Sequence, residues 1–351
     1  MLDASTVERT GETYALNLRF LLIVCVFIGN LIEPLILQAP HMHALYVWIF
    51  TFHMPLFVFV TGYFAKHNLR GDAGRKLLIQ IGLQYLIFQS IYSVLDITVF
   101  KVNQIHHSFF APYLLLWFLA SHIFWRLALR LMLKWPVKLQ FLCSLAGGIL
   151  VGYLQMDGTW LSLSRSFIYL PFFVAGYHYS YAYFVKFITR NIRRLALLTS
   201  LILLGAAAIW SNQMQIGWLY GSMTYAQLQY HEWYAGLFRA TIYMVQIISA
   251  AAILLLVPQR QHRITDWGKR TLYVFLLHGL IVRFAAVSPI YSYIESPAAS
   301  FALMLAAILL TILLCHPKVK QMTSWIIEPR VEWLFAAHSQ PTKITAASSE
   351  R

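Results

Sequence analysis

The sequence has little charge. Asp, Glu, Lys and Arg make up only 11% of the 351 residues, whereas 59% are hydrophobic. A soluble domain carries about 25% charged residues, so this chain has too few of them to cover a water-soluble globule. Several apolar runs reach the roughly 20 residues that a helix needs to cross a bilayer. The composition therefore excludes an ordinary soluble protein and predicts one that crosses the membrane many times.

Cysteine is scarce, and its placement excludes two further classes of protein. All three cysteines lie in apolar runs: Cys25, Cys143 and Cys315. Their spacing matches neither a disulfide framework nor a zinc site, and we expect them to be buried thiols. No metal site is predicted, because two histidine pairs are expected to be interfacial or loop residues: His41 with His43, and His106 with His107.

The sequence also shows no signal peptide. Residues 1–15 mix acidic and basic side chains without a compact basic segment, and the apolar run that follows has no obvious cleavage site. The first run is therefore predicted to be retained as a span. We predict an all-α, polytopic membrane bundle of about ten transmembrane helices, at residues 16–37, 44–64, 77–100, 112–133, 139–154, 166–184, 195–211, 236–257, 271–288 and 299–316.

The basic residues indicate how these spans are oriented. The connections after even-numbered spans hold sixteen Lys and Arg, whereas those after odd-numbered spans hold only Lys101 and Arg165. Since Lys and Arg concentrate in cytoplasmic loops, both termini are predicted to be cytoplasmic, in a multi-pass protein of the cell membrane. The net charge of +14 then reflects topology and contact with anionic membrane lipids. This distribution argues against nucleic acid as a partner.

The chain is predicted to have three parts. Residues 1–15 form a cytoplasmic N-terminal segment, residues 16–317 the transmembrane domain, and residues 318–351 a cytoplasmic tail. Within the tail, the segment 325–335 is amphipathic and is expected to lie on the inner membrane surface. The small and polar residues after it are expected to be disordered.

Polar side chains at membrane depth are the candidate functional residues. Ionisable groups there cost about 3 kcal/mol or more unless they are paired or hydrated. In the first span, Arg19 and Asn30 are eleven residues apart, or about three helical turns, and Glu33 follows after three more. All three are therefore predicted to share one face of the helix. Ordinary alternatives are that Arg19 reaches the lipid headgroups and that Asn30 hydrogen-bonds between helices.

Two histidines are predicted to lie near mid-depth. His53 is in the second span, close to Pro55, and His278 is in the ninth span, with Arg283 further along. A single buried histidine is more often structural than catalytic. Two of them at similar depth, beside Glu33, favour a functional site about as much as a structural role. Arg283 either contacts an anionic acceptor or anchors at headgroups.

Five stretches, in order, carry a resemblance to a known family. They are NLRFLLIVCVFIGN (17–30), FHMPLFVFVTGYFAK (52–66), LLLWFLASHIFW (114–125), YLPFFVAGYHY (169–179) and WGKRTLYVFLLHGLIV (267–282). The chain resembles the acyltransferase 3 family of integral membrane proteins, within it the fucose 4-O-acetylase-like group. The resemblance implies an enzyme that moves an acetyl or other acyl group from cytoplasmic acyl-CoA to a hydroxyl of an extracytoplasmic carbohydrate or cell-surface polymer. Acetyl-CoA would be a donor substrate, and no bound cofactor is expected.

The chain departs from the family at one position. The family's first span has Arg or Lys, then ten residues, then His. Arg19 matches the cation, but Asn30 stands where the resemblance implies a histidine. An amide cannot act as a general base. The base could then be His53, with Glu33 orienting it, or Glu33 itself, or the chemistry has changed or been lost.

The remaining candidates complete the predicted site. Arg19 would meet the phosphates of acyl-CoA, and Asn30 or His278 would stabilise the oxyanion of the transition state. Trp117 and Arg283 would line the site as substrate-binding residues. Two alternatives remain open: a multi-pass transporter or flippase, for which polar groups at mid-depth are equally suited, and a non-catalytic member of the family.

Overall fold

The structure is a computed structural model that describes residues 4–101, 108–154, 159–210 and 213–332. Within these ranges the fold is all-α, and the only β feature is an isolated bridge between Ser108 and Ala111. This confirms the all-α part of the prediction. The predicted loop histidines 106 and 107, and the tail from residue 333 onward, lie outside the described residues.

Fourteen α-helices occur among the described residues. Their bounds are α1 Ala4–Ile32, α2 Pro40–Ala65, α3 Gly71–Leu95, α4 Trp117–Met132, α5 Val137–Leu150, α6 Leu163–His178, α7 Tyr181–Phe184, α8 Arg190–Trp210, α9 Gly217–Tyr220, α10 Ala235–Leu256, α11 Arg263–Gly268, α12 Thr271–Val287, α13 Pro297–Leu314 and α14 Pro317–Ile327. Short 3-10 and π-helical turns extend several of them, among them Leu114–Leu116 before α4 and Asp96–Phe100 after α3.

Seven of the helical stretches in the described ranges are long and apolar enough to cross a membrane. They are Glu8–Leu35, Pro40–Ala65, Gly71–Phe100, Leu114–Met132, Arg190–Trp210, Ala235–Leu256 and Pro297–Leu314. Val137–Tyr153 and Thr271–Val287 are apolar but shorter. Each of the ten predicted spans thus contains a helix, and seven have the length and composition of a membrane helix. Helix α1 begins at Ala4, so one continuous helix includes most of the predicted N-terminal segment and the first span.

Helices α2 and α6 approach each other at backbone distance. A Cβ atom added to Gly62 would lie 2.1 Å from the carbonyl oxygen of Phe173, and one added to Gly176 would lie 1.8 Å from that of Phe59. Small residues permit such close crossings between membrane helices. The pair forms the framework that carries His53 on α2 and Arg165 on α6.

The cysteines are unpaired, as the sequence predicts. Their burial differs from the prediction, since only Cys315 is buried, Cys25 is partly buried and Cys143 is exposed. Cys143 lies on α5, a helix whose apolar side chains Leu142 and Leu145 are exposed as well. An exposed apolar helix face in a membrane protein faces lipid, where a small thiol is tolerated.

Candidate functional site: two cavities and a phenylalanine partition

One cavity lies near the end of α2 and contains Arg19. We call it the Arg19 cavity; its volume is about 320 Å³. Besides Arg19 from α1, its polar lining includes Asn68, Gln84, His122 and Arg126. The other walls come from α2, α3, α4 and α12.

A second cavity lies further toward the start of α2 and contains His53. We call it the His53 cavity; its volume is about 240 Å³. It is lined by Asn30 and Glu33 from α1 and its C-terminal extension, and by Arg165 and Tyr220. Trp117, Tyr46 and Tyr169 add aromatic walls, so this cavity is richer in aromatic rings and hydroxyl groups than the first.

Three phenylalanines separate the two cavities. Phe57, Phe118 and Phe275 line both of them. The ring of Phe118 lies at the centre, with centroids 5.4 Å from that of Phe57 and 5.5 Å from that of Phe275. We call these residues the phenylalanine partition. Helices α2, α4 and α12 each contribute one ring to it.

His53 has the geometry of a potential base. Its Nδ1 lies 2.9 Å from the carbonyl oxygen of Ile49. A carbonyl can only accept, so Nδ1 carries the proton and the neutral ring keeps a lone pair on Nε2. Phe50 packs edge-on against the ring, with centroids 4.4 Å apart. The ring is therefore fixed in place by the backbone and by one aromatic neighbour.

Glu33 belongs to a chain of hydroxyl groups and does not orient His53. Its Oε1 accepts a hydrogen bond of 2.9 Å from the hydroxyl of Tyr220, which in turn lies 2.7 Å from the hydroxyl of Tyr46. Burial, and then the negative charge of Glu33, raise the pKa of Tyr220, so this hydroxyl remains a donor. Glu33 itself is exposed. The orienting role that the sequence suggested for Glu33 belongs instead to the carbonyl oxygen of Ile49.

Asn30 and Arg19 line different cavities. The Nδ2 of Asn30 donates to the carbonyl oxygen of Val26, at 2.8 Å. Its Oδ1 and its second N–H remain for a ligand in the His53 cavity. Arg19 lies over the ring of Phe64, 5.9 Å from its centroid, in the other cavity. The polar face of α1 thus runs past the phenylalanine partition and contributes to both sides.

His278 and Arg283 lie outside both cavities. His278 is fully buried, its Nδ1 lies 2.9 Å from the carbonyl oxygens of Val274 and Phe275, and no described residue pairs with its Nε2. Arg283 forms a two-pronged ion pair with buried Asp96, with N–O distances of 2.8 and 2.9 Å. The structure therefore does not bring either residue to Asn30 or His53, whereas Trp117 does line the His53 cavity.

Sequence reasoning missed several residues of the two cavities. His122 lines the Arg19 cavity, and its buried Nε2 has no partner among the described residues. Arg126 is 1% exposed and donates to the side chain of Asn68 at 2.9 Å. His122 lies within the 114–125 stretch that carries the family resemblance. Arg126 is among the sixteen basic residues used to orient the spans. Arg165 could have been identified from the sequence, because it is one of only two basic residues in the odd-numbered connections.

No group of three or more His, Cys, Asp or Glu side chains within the described ranges is arranged to hold a metal ion. Comparison of the chain with family models, with curated proteins and with solved structures finds no match. The function proposed below therefore depends on the two cavities and on the family resemblance of the five sequence stretches.

Proposed function

We propose that the chain is a membrane O-acyltransferase of the acyltransferase 3 type. It would transfer an acetyl or other acyl group from cytoplasmic acyl-CoA to a hydroxyl of an extracytoplasmic carbohydrate or cell-surface polymer. The observation that carries the proposal is the pair of cavities on either side of the phenylalanine partition. Donor and acceptor could approach from opposite sides of the membrane and meet across a single layer of rings.

The proposed topology has ten spans in the cell membrane. It adds α5, α6 and α12 to the seven long apolar helices, which gives an even number and leaves both termini in the cytoplasm. The support is the distribution of Lys and Arg, sixteen against two between the two sets of connections. In this orientation the first half of α1 and the end of α2 are cytoplasmic, so the Arg19 cavity opens inward and the His53 cavity outward.

The donor would occupy the Arg19 cavity. Arg19 and Arg126 supply positive charge close to the partition, and guanidinium groups bind phosphate oxygens well. The phosphates of acyl-CoA would lie at the basic cytoplasmic end, while its thioester enters between α1, α2 and α12. Phe57, Phe118 and Phe275 would surround the acyl carbonyl and exclude water, which would otherwise hydrolyse the thioester.

The acceptor would occupy the His53 cavity. Nε2 of His53 removes the proton of the sugar hydroxyl as that oxygen forms a bond to the acyl carbonyl carbon. The carbon–sulfur bond then breaks, and CoA leaves as a thiolate that receives the proton from the histidine. The second N–H of Asn30 would face the developing oxyanion, a contribution worth about 3–4 kcal/mol at other such sites. Asn30 is better placed for this than His278, which lines neither cavity.

The experiment that tests the proposal is the O-acetyl content of surface glycans. Cells that lack the gene are compared by NMR with the same cells complemented by the wild type and by His53→Ala. The proposal predicts that the acetyl signal of one glycan fraction disappears on deletion and returns only with the wild type. Unchanged acetylation of every fraction would contradict it.

A transporter or flippase is the second candidate, and the same cavities favour it. Two chambers separated by a thin partition suit alternating access, and α2 carries Pro55 within its helix. Acyl-CoA distinguishes the two functions, because a ligand that binds only the folded protein raises its melting temperature. An acyltransferase, or a non-catalytic member that still binds the donor, is expected to be stabilised by acetyl-CoA. A transporter of another solute is not.

A further inference from the structure

Arg165 lies where the His53 cavity meets a third cavity. This third cavity, of about 240 Å³, is lined by Arg165, Ser162, Ser222, Thr159, Leu114 and Pro112. Arg165 and Leu114 belong to both cavities. Its polar side chains are the guanidinium of Arg165 and three hydroxyl groups, from Thr159, Ser162 and Ser222. We call it the Arg165 subsite.

The guanidinium of Arg165 lies over an aromatic ring and forms no ion pair with the part of the chain that the structure describes. Its central carbon lies 4.7 Å from the centroid of the Trp117 ring, which itself stacks on Tyr169 at 5.7 Å. None of the ion pairs among the described residues includes Arg165, and its buried Nε has no hydrogen-bond partner there. Glu33 is in the same cavity, but its carboxylate accepts from Tyr220.

Three other buried or partly buried arginines of the bundle differ from Arg165, because each donates a hydrogen bond to the protein. Arg283 pairs with Asp96, Arg126 donates to Asn68, and Arg239 donates to the carbonyl oxygen of Trp218 at 2.7 Å. Each of those cations fixes one element of the fold to another. Arg165 makes no such hydrogen bond to the described residues, so its charge is available to a molecule in the cavity.

The backbone around the subsite is strained. Leu114, Leu161 and Ser162 have φ values of +44°, +49° and +55°, in the left-handed region that residues other than glycine seldom adopt. Leu114 and Ser162 line the subsite, and Leu161 is anchored through its N–H to the carbonyl oxygen of Phe110, at 2.7 Å. Such conformations cost energy and concentrate at ligand-binding positions.

We propose that Arg165 binds an anionic group of the acceptor, so that the acceptor is an acidic carbohydrate. The unit that is acylated occupies the His53 cavity, and a carboxylate or phosphate on it or on the next unit lies against Arg165, with neighbouring hydroxyl groups in the subsite. A guanidinium that contacts a ring through its central carbon still has N–H groups to donate to paired oxygens. This inference names the substrate class of the proposed acyltransferase and depends on that function for its meaning, but anion binding can be measured without any transfer.

The test is thermal stabilisation of the purified full-length protein in nanodiscs of neutral lipid. The probes are cellotetraose, the same tetrasaccharide with its C6 hydroxymethyl groups oxidised to carboxylates, and glucose 1-phosphate. We expect the oxidised sugar to raise the melting temperature and cellotetraose not to do so. A response to glucose 1-phosphate alone would assign the anion as phosphate and not carboxylate. Each result is repeated with Arg165→Gln, Arg165→Lys and, as matched control, Lys101→Gln, the other basic residue of the odd-numbered connections.

The variants decide whether Arg165 is responsible. Loss of a charge-assisted hydrogen bond is expected to weaken binding of the anionic probe about tenfold or more in Arg165→Gln. Arg165→Lys should retain part of the binding, and Lys101→Gln all of it. Equal stabilisation by neutral and anionic sugars, an unchanged response in Arg165→Gln, or no stabilisation by either anionic probe would overturn the inference.

Stabilisation by acetyl-CoA tests the proposed acyltransferase function separately from anion binding at Arg165. If acetyl-CoA stabilises the wild type and Arg165→Gln equally, the donor site is intact and only the acceptor site has been tested. Anion binding at Arg165 without any response to acetyl-CoA would support the subsite and contradict the acyltransferase. Stabilisation by acetyl-CoA without stabilisation by either anionic probe would support a donor-binding protein and contradict the Arg165 subsite.

Discussion

The two main cavities have similar volumes but different chemistry. The Arg19 cavity combines two arginines with amide side chains and one carboxylate, that of Glu328. The His53 cavity has tyrosine hydroxyls, the ring of Trp117, the amide of Asn30, the carboxylate of Glu33 and a single arginine. Cations and amides suit a phosphate-bearing donor, whereas hydroxyls and flat aromatic rings suit a carbohydrate. The comparison indicates that the bundle presents a different ligand environment on each side of the phenylalanine partition.

The two cavities also differ in how their histidines are held. His53 has its Nδ1 fixed by the carbonyl of Ile49, whereas the Nε2 of His122 has no partner among the described residues. A fixed tautomer with a free lone pair is what a general base requires. We therefore place the proton transfer in the His53 cavity.

The largest expected effect comes from His53. Replacement by Ala removes the proposed base and should lower acyl transfer about 100- to 10,000-fold, while stabilisation of the protein by acetyl-CoA remains. The measurement is glycan acetylation in complemented cells together with thermal denaturation of the purified variant. His41→Ala, on an exposed histidine, is the control. Full acetylation in His53→Ala would assign the chemistry elsewhere.

Arg19 tests the donor side of the comparison. Arg19→Gln removes the charge but keeps hydrogen-bonding atoms, and it should weaken acetyl-CoA binding about 10- to 100-fold, the range for hydrogen bonds to charged groups. Acceptor binding should not change. The dissociation constant of acetyl-CoA is measured by titration, with Lys101→Gln, at an exposed position in an odd-numbered connection, as control. A loss confined to acceptor binding would reverse the assignment of the two cavities.

Asn30 tests the acceptor side with a smaller effect. Its amide makes one hydrogen bond within α1, and its remaining groups are proposed to contact the reacting atoms. Asn30→Ala should lower the rate by at least the roughly 2- to 12-fold expected for one neutral hydrogen bond, and toward the roughly 100-fold expected for the loss of an oxyanion donor. Rates are compared at saturating donor, with Gln38→Ala, an exposed amide, as control. An unchanged rate would mean that Asn30 only stabilises its own helix.

The phenylalanine partition is expected to give the smallest change in transfer. Phe275→Ala should open a path between the cavities and let water reach the thioester. We expect a small increase in acetyl-CoA hydrolysis in the absence of acceptor, measured as free CoA. Phe284→Ala, at a 65% exposed position on the same helix, should leave hydrolysis unchanged. Equal hydrolysis in both variants would indicate that the partition does not exclude water.

Hydropathy predicted the helices well because membrane helices satisfy their backbone hydrogen bonds locally. All ten predicted runs contain a helix, and the shared face of Arg19, Asn30 and Glu33 follows from the helical period. The predicted depth of a residue in the membrane did not indicate whether its side chain faces a cavity. His53 and His278 have similar predicted depth, but only His53 faces a cavity, because packing against other helices sets the rotation of each span.

Pairings between distant segments could not be predicted from one sequence. Asp96 and Arg283 are 187 positions apart, and nothing in either span indicates that they meet. Arg165 was visible as an exception to the charge distribution, but its contact with Trp117 depends on the packing of α4 against α6. The partition was similarly hidden, since Phe57, Phe118 and Phe275 resemble any other apolar side chain of a membrane helix.

In the proposed mechanism, an acyl group crosses from the Arg19 cavity to the His53 cavity while CoA stays behind. Inside-out membrane vesicles test it directly, because the donor is added at the cytoplasmic face and native glycans are enclosed. Acetyl-CoA is supplied with one label on the acetyl group and another on the adenine. The proposed mechanism predicts that the acetyl label appears as alkali-labile ester on enclosed glycans and that the adenine label stays outside. Vesicles with His53→Ala should show neither label inside. Entry of both labels together, or no entry of acetyl with the wild type, would contradict it.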